Sequence, residues 1–209
     1  MAVPGPLCLH AIVPAGDPDT LRATMRGLHL VPCGPVIAIT GKPSRQTAPR
    51  AALRHDRIIG RALASCSSVV PFRLGVELGS EAELHRVLAA NLDALSAQLA
   101  RFAGRVEMGF KARLAAQPAG SPMHLPPGLD RVRALAPRHD DCKEQLKRAP
   151  SGHVFEGCYL ILRQAIEAFW SVVEDIRRAA AGMPVLGSGP WAAYTFCDLA
   201  LRPAQIEAP

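Results

Sequence analysis

Four short runs in this chain hold residue types that could do chemistry, and none has the spacing its chemistry requires. His55-Asp56 offers an imidazole beside a carboxylate. General-base work also needs a nucleophile or a substrate proton within hydrogen-bond reach, and the sequence places no nucleophile there, so a packing or capping role is the reading. His139-Asp140-Asp141-Cys142 collects metal-ligand types, but their packing into consecutive positions matches no closed zinc pattern. Gly41-Lys42-Pro43-Ser44 has the look of a phosphate loop, yet Pro43 stands where a Ser or Thr is needed and lacks the backbone N–H that cradles phosphate. Gly187-Ser188-Gly189 lacks the strand-to-helix setting of a nucleophile elbow. The expectation is a protein without a catalytic centre, cofactor or metal.

What remains is surface. Arg73, Glu77, Glu107 and Lys111 are predicted on one sheet face, interleaved with Gly75 and Gly109. Such a face is either solvated, with cross-strand charge pairs, or a docking face where glycines let another backbone approach. Trp191 and Tyr194 follow Gly189-Pro190 and either cover a core edge or anchor a partner. These six residues are the candidate protein-interaction set.

The elements that must position them read as an α+β chain. Residues 7–13 and 36–40 have strand character, with Asp17 placed to cap a short helix between them, so residues 1–47 form a small N-terminal β-α-β-β unit. Some 45 residues bury little core alone, so this unit must lean on the rest. A connecting helix occupies 48–68, with Leu53, Ile58, Ile59 and Leu63 for its apolar side. Val70, Phe72, Leu74, Val76 and Leu78 alternate with polar or small residues as in a strand with one apolar face. Ser80 and Glu83 make a capping box opening a helix over 81–102, whose apolar positions step by three and four.

Residues 105–114 alternate again. The stretch 115–152, with six prolines, reads as a surface excursion holding at most short helices near 129–135 and 140–148. A central strand over 154–162, a helix over 164–181 and a last strand over 191–199 follow. In order, 69–200 is a ferredoxin-like β-α-β-β-α-β two-layer domain, with 201–209 as a C-terminal tail.

Composition excludes several classes. Apolar residues make up 49% and charged residues 20%, enough for a core and unlike a disordered chain. The net charge of +6 comes from scattered basic residues without interleaved aromatics, which argues against a specific nucleic-acid reader. No run approaches the length of a membrane span, and no basic residue precedes an apolar run in residues 1–6, so a cytoplasmic protein is expected. The six cysteines are dispersed without a C-x-x-C pair and read as reduced, mostly small apolar residues.

Five segments carry a specific resemblance. His55-Asp56-Arg57-Ile58-Ile59 followed by Val70-Pro71-Phe72-Arg73-Leu74-Gly75, then Gly104-Arg105-Val106-Glu107-Met108-Gly109-Phe110-Lys111, Gly157-Cys158-Tyr159-Leu160-Ile161 with Phe169, and Ser188-Gly189-Pro190-Trp191-Ala192-Ala193-Tyr194-Thr195-Phe196 resemble, in order, segments of the GvpL/GvpF family of gas vesicle accessory proteins. Departures are the opening strand Leu7-Cys8-Leu9-His10-Ala11-Ile12, usually richer in Tyr and Gly, Ala192-Ala193 where two prolines are common, and a short 115–152 excursion. The resemblance implies a non-enzymatic, two-domain assembly factor that associates with gas vesicles. Its implied partners are the small apolar shell protein and other accessory proteins. Physics adds why such a client needs help: apolar subunits with exposed strand edges aggregate unless covered. The alternative from another class is a ferredoxin-like small-molecule-binding or regulatory enzyme with a site between the two domains, which would show as a pocket of converging titratable groups.

Overall fold

The computed structural model describes residues 5–16, 18–43, 47–115, 124–150, 152–180, 182–199 and 201. The proposed cap Asp17, residue Ser44 of the loop-like run, residues 116–123 of the proline-rich 115–152 stretch and nearly all of the tail lie outside the described residues. The chain divides into two compact units, one of residues 1–103 with 192–209 and one of 104–191.

The first unit is organised by β1 (Leu7–Pro14), whose side chains are buried on both faces. A strand apolar on both parities must be central, so it needs a hydrogen-bonded neighbour along each edge. After α1 (Pro18–Thr24), the hairpin of β2 (His29–Cys33) and β3 (Val36–Gly41) supplies one of these, with β3 antiparallel to β1. Helix α2 (Ala48–Ser65) packs on β1 through Ala51, His55, Ile58, Ile59, Ala62 and Leu63. The other edge of β1 is filled by β4 (Val70–Pro71) and β5 (Glu77–Leu78), both antiparallel to it.

This corrects the expected division of elements. The strand predicted to open the second domain closes the first, because the proposed β-α-β-β unit has no strand of its own for the second edge of β1. Its alternation also breaks at Leu74, which is exposed, and at Gly75, whose φ of +94° makes a turn only glycine adopts freely. The α+β, two-unit class stands. The β-α-β-β-α-β path is made in both units, with spatial order β2-β3-β1-β4 in the first.

The helix predicted over 81–102 is two, α3 (Glu81–Ala90) and α4 (Leu92–Phe102), interrupted at buried Asn91, whose amide donates to the Val87 carbonyl at 2.7 Å. Both sit in the first unit, where α4 packs on β1 and β4. The Ser80 hydroxyl accepts from Glu83 N–H as the capping box requires, but the Glu83 carboxylate takes the N–H of Gly79 instead of that of Ser80.

The second unit repeats the same chain path: β6 (Arg105–Ala115), α5 (Leu129–Arg133), β7 (Cys142–Ala149), β8 (Gly152–Leu162), α6 (Ile166–Ala179) and β9 (Val185–Trp191), in the sheet order β7-β8-β6-β9. Val106, Met108, Phe110, Ala112 and Leu114 of β6 and Phe169, Val172, Val173 and Ile176 of α6 are buried.

Two elements differ from expectation. The helix expected over 140–148 is the edge strand β7, paired with β8 along its whole length. Its six central residues are exposed and charged or polar except Leu146, so side-chain periodicity carries no signal and backbone pairing decides. The last strand is Val185–Trp191, ahead of the expected 191–199, which is turn. Glycines there signalled a turn, but they are small because neighbours occupy the Cβ positions. A Cβ on Gly187 would lie 2.6 Å from the Trp170 ring, and one on Gly189 2.8 Å from Met108 Sδ. Gly187→Ala should therefore lower stability by about 1–3 kcal/mol in urea unfolding, the cost of overpacking; an unchanged midpoint would mean that the Trp170 ring does not cover this strand.

Candidate functional site

The six candidate residues do not form one surface. Arg73 and Glu77 lie exposed around the β4–β5 turn of the first unit, while Glu107 and Lys111 lie on β6 of the second. The shared sheet face expected for these four is thus corrected, for the reason given above: the strand bearing Arg73 and Glu77 pairs with β1. Lys111 is part of a charge cluster, its ammonium 2.9 Å from Glu156, which also accepts from Lys147. Hydrogen bonds from Lys147, then Lys111, hold the Glu156 carboxyl below its ordinary range. Glu107 is buried, opposite Leu160 on one side and Trp191 on the other. The space left by Gly109 is taken by Ser188 of the neighbouring strand, so it is used inside the sheet. Trp191 closes β9 with 45% of its surface exposed.

Tyr194 leads to a pair of buried histidines. It follows β9 in a segment whose buried Ala192, Ala193 and Phe196 belong to the first unit. Its hydroxyl lies 3.2 Å from His55 Nε2. His55 is on the buried side of α2, and its Nδ1 is 2.9 Å from Nδ1 of His10, which sits at a bulge in β1 that re-aims the side chain. The tautomers follow from the acceptors. His55 Nε2 faces the Phe72 carbonyl at 2.9 Å, so it carries the proton. Neutral His55 then accepts at Nδ1, so His10 donates from its own Nδ1. Phe72 is clipped in return by its N–H to the His10 carbonyl.

Burial pushes both imidazoles down, His10 to about 4, with the charges of His55 and Arg54 adding to the effect. Burial likewise pushes the Tyr194 phenol up to about 12 and the Cys8 thiol upward. Cys8, His10 and His55 border a hollow of about 180 Å³ with Lys42, Arg54 and Glu77. A base so weak, beside a thiol held protonated, is poorly matched to proton transfer at neutral pH. The arrangement instead satisfies buried polar groups that tie β1, α2 and the segment after β4 together, the packing role expected of His55. Sequence reading missed His10; its signal was a lone imidazole in an apolar strand that must find a partner.

The run His139-Asp140-Asp141-Cys142 does not converge. Asp141 is fully buried and accepts from Arg105 at 2.7 Å, whereas His139 is exposed. Among the described residues no three His, Cys, Asp or Glu side chains are placed to hold a metal. In the second unit, Tyr159 lies over Gly157 and donates to Glu144 at 2.7 Å, which also takes Arg133. Burial raises the Glu144 carboxyl, but these two donors outweigh it and hold it low. Among the described residues no helix is long and apolar enough to cross a membrane.

Known proteins share both sequence and fold with this chain. The sequence profile of the gas vesicle synthesis protein GvpL/GvpF family matches residues 7–123 and 128–198. Gas vesicle protein F2 of Halobacterium salinarum is 25% identical over 174 residues, spanning 78% of this chain and 71% of that protein. The crystal structures of gas vesicle protein GvpF from Anabaena sp. PCC7120 and from Microcystis aeruginosa each superimpose with a TM-score of 0.74 over 94% of this chain, covering 97% and 100% of theirs. At 15% and 16% identity that likeness establishes the fold alone.

The histidine pair sets a pH dependence. Unfolded, His10 takes its proton near 6.5; folded, only near 4, so between those values the unfolded chain binds more protons. Stability is therefore present in full above pH 6.5 and is lost as pH falls through this window. Urea midpoints measured across it should drop for the native chain and drop less for His10→Asn, whose amide can still donate to His55. Equal slopes would remove His10 as the source.

Proposed function

Because the chain belongs to the gas vesicle synthesis protein GvpL/GvpF family, we propose that it is a non-enzymatic accessory factor of gas vesicle assembly. In this reading it binds the small apolar shell protein, acts beside other accessory proteins, and works in the cytoplasm on the growing vesicle. The observation that carries the reading is the outer edge of β9. This strand ends the second sheet, and among the described residues no strand covers its far side. Leu186 and Trp191 are 58% and 45% exposed along it, with small Gly187, Ser188 and Gly189 between them beside Pro190, which has no N–H. The Val185 carbonyl accepts from Arg177, so pairing is open to residues 186–189.

An uncovered edge with small residues admits an added strand by main-chain hydrogen bonding, and exposed Leu and Trp supply apolar anchors at either end. A shell subunit that has not yet assembled offers the complementary parts, an unpaired edge and an apolar face. The buried histidine pair argues in the same direction, since its titration is unsuited to acid–base catalysis.

Leu186→Asp with Trp191→Ala should reduce capture of co-expressed shell protein at least tenfold, with unchanged far-UV circular dichroism. The same variant should fail to restore vesicles to a strain lacking this protein. Full capture and restored vesicles would overturn the reading.

A further inference from the structure

The first unit carries a row of positive charge that the preceding reading does not use. Arg50, Arg54, Arg57 and Arg61 of α2 are spaced by four, three and four residues, which places them along one helical stripe about 16 Å long at 1.5 Å per residue. All four are exposed, and α2 contains one acid, Asp56. Asp56 is not in the stripe's spacing; its charge is felt by His55 and Tyr194 on the buried side of the helix. Arg26 faces the stripe from the turn after α1, and Arg61 is tied to that turn through the Thr24 carbonyl at 3.2 Å.

Between them lies an open groove of about 720 Å³, with half-buried Leu28 and exposed Ala64 as its accessible apolar lining over buried Ile58. Gly60 in its wall has nothing within 4 Å of where a Cβ would stand, so the hollow is unobstructed. Among the described residues no carboxylate pairs with Arg26, Arg54, Arg57 or Arg61, although such pairs form elsewhere, among them Arg105–Asp141, Lys111–Glu156 and Arg133–Glu144.

The geometry points to this groove as a docking site for an acidic amphipathic helix of a protein partner, whose carboxylates repeat at the four-three-four spacing of the arginines. Guanidinium forks match carboxylates two bonds at a time, and like charges held in a row repel until an anionic partner neutralises them. The apolar floor distinguishes the occupant. A helix can lay an apolar stripe on Leu28 and Ala64 while its acidic flank meets the arginines, as in helix-in-groove recognition. A nucleic-acid strand needs ring faces on which to stack its bases, and no aromatic side chain lines the groove. The inference rests on α2 and the turn after α1, and stands whether or not β9 binds the shell protein.

The test uses three probes with the full chain: a synthetic helical peptide with Glu at the four-three-four spacing beside a Leu stripe, a peptide of the same composition in scrambled order, and a single-stranded oligonucleotide. The patterned peptide should bind at least tenfold more tightly than either of the others, weaken as salt rises, and lose at least tenfold affinity with Arg54→Glu and Arg57→Glu. Arg54→Gln with Arg57→Gln, which adds no repulsion, should lose affinity with an unchanged melting temperature. Equal binding of the scrambled peptide, tighter binding of the oligonucleotide, or undiminished binding by the Gln variant would each overturn the inference.

Discussion

The structure depends on one constraint: β1 is apolar on both faces and so must be paired along both edges. A strand with those side chains cannot lie at a sheet margin without leaving a row of polar backbone groups beside a greasy surface. Pairing with β3 covers one edge, and the chain must travel past α2 to residues 70–78 to cover the other. That recruitment places the Phe72 carbonyl over α2, where His55 can reach it, and the bulge in the β1–β3 ladder turns His10 to meet His55. It also leaves residues 104–191 to build a complete second sheet of their own, with the same strand order as the first.

Both units then use their polar interior groups as joints. His10 and His55 satisfy each other and a backbone carbonyl, Arg105 neutralises fully buried Asp141, and Tyr159 reaches across Gly157 to Glu144. Breaking one partner of such a set leaves a desolvated group unmet, so each holds its neighbourhood in a single arrangement. His10, His55, Asp141 and Glu144 are, for this reason, spent on structure. Chemistry directed outward is left to strand edges, exposed apolar side chains and unpaired charge.

The sequence made legible what side-chain periodicity records. The amphipathic stripe of α2, the Ser80 cap, the alternating face of β6 and the apolar turns of α6 are where the residues indicate. It hid what depends on pairing at a distance. Nothing local in residues 70–78 says that their partner is β1 and not β6, since either offers an apolar neighbour. The polar run Cys142–Ala149 holds no alternation because it is an exposed edge, and glycines 187 and 189 imitate a turn because Trp170 and Met108 crowd a strand. Arg73 and Glu77 were assigned to the wrong sheet along with their strand, because that strand's partner is not written in its own residues. The arginine row of α2 was readable as spacing, and became a groove only once Arg26 was seen to face it.

The two surfaces proposed to hold partners differ in chemistry, a sparsely covered sheet edge in one unit and a basic helix face in the other. The claim that the edge of β9 receives the shell protein is tested most directly by backbone hydrogen exchange, read residue by residue with and without shell protein held in solution. Slowed exchange confined to outward amides of Val185–Trp191, with β1 amides unchanged, is the result expected. Binding that leaves those amides exchanging at their free rate would contradict it.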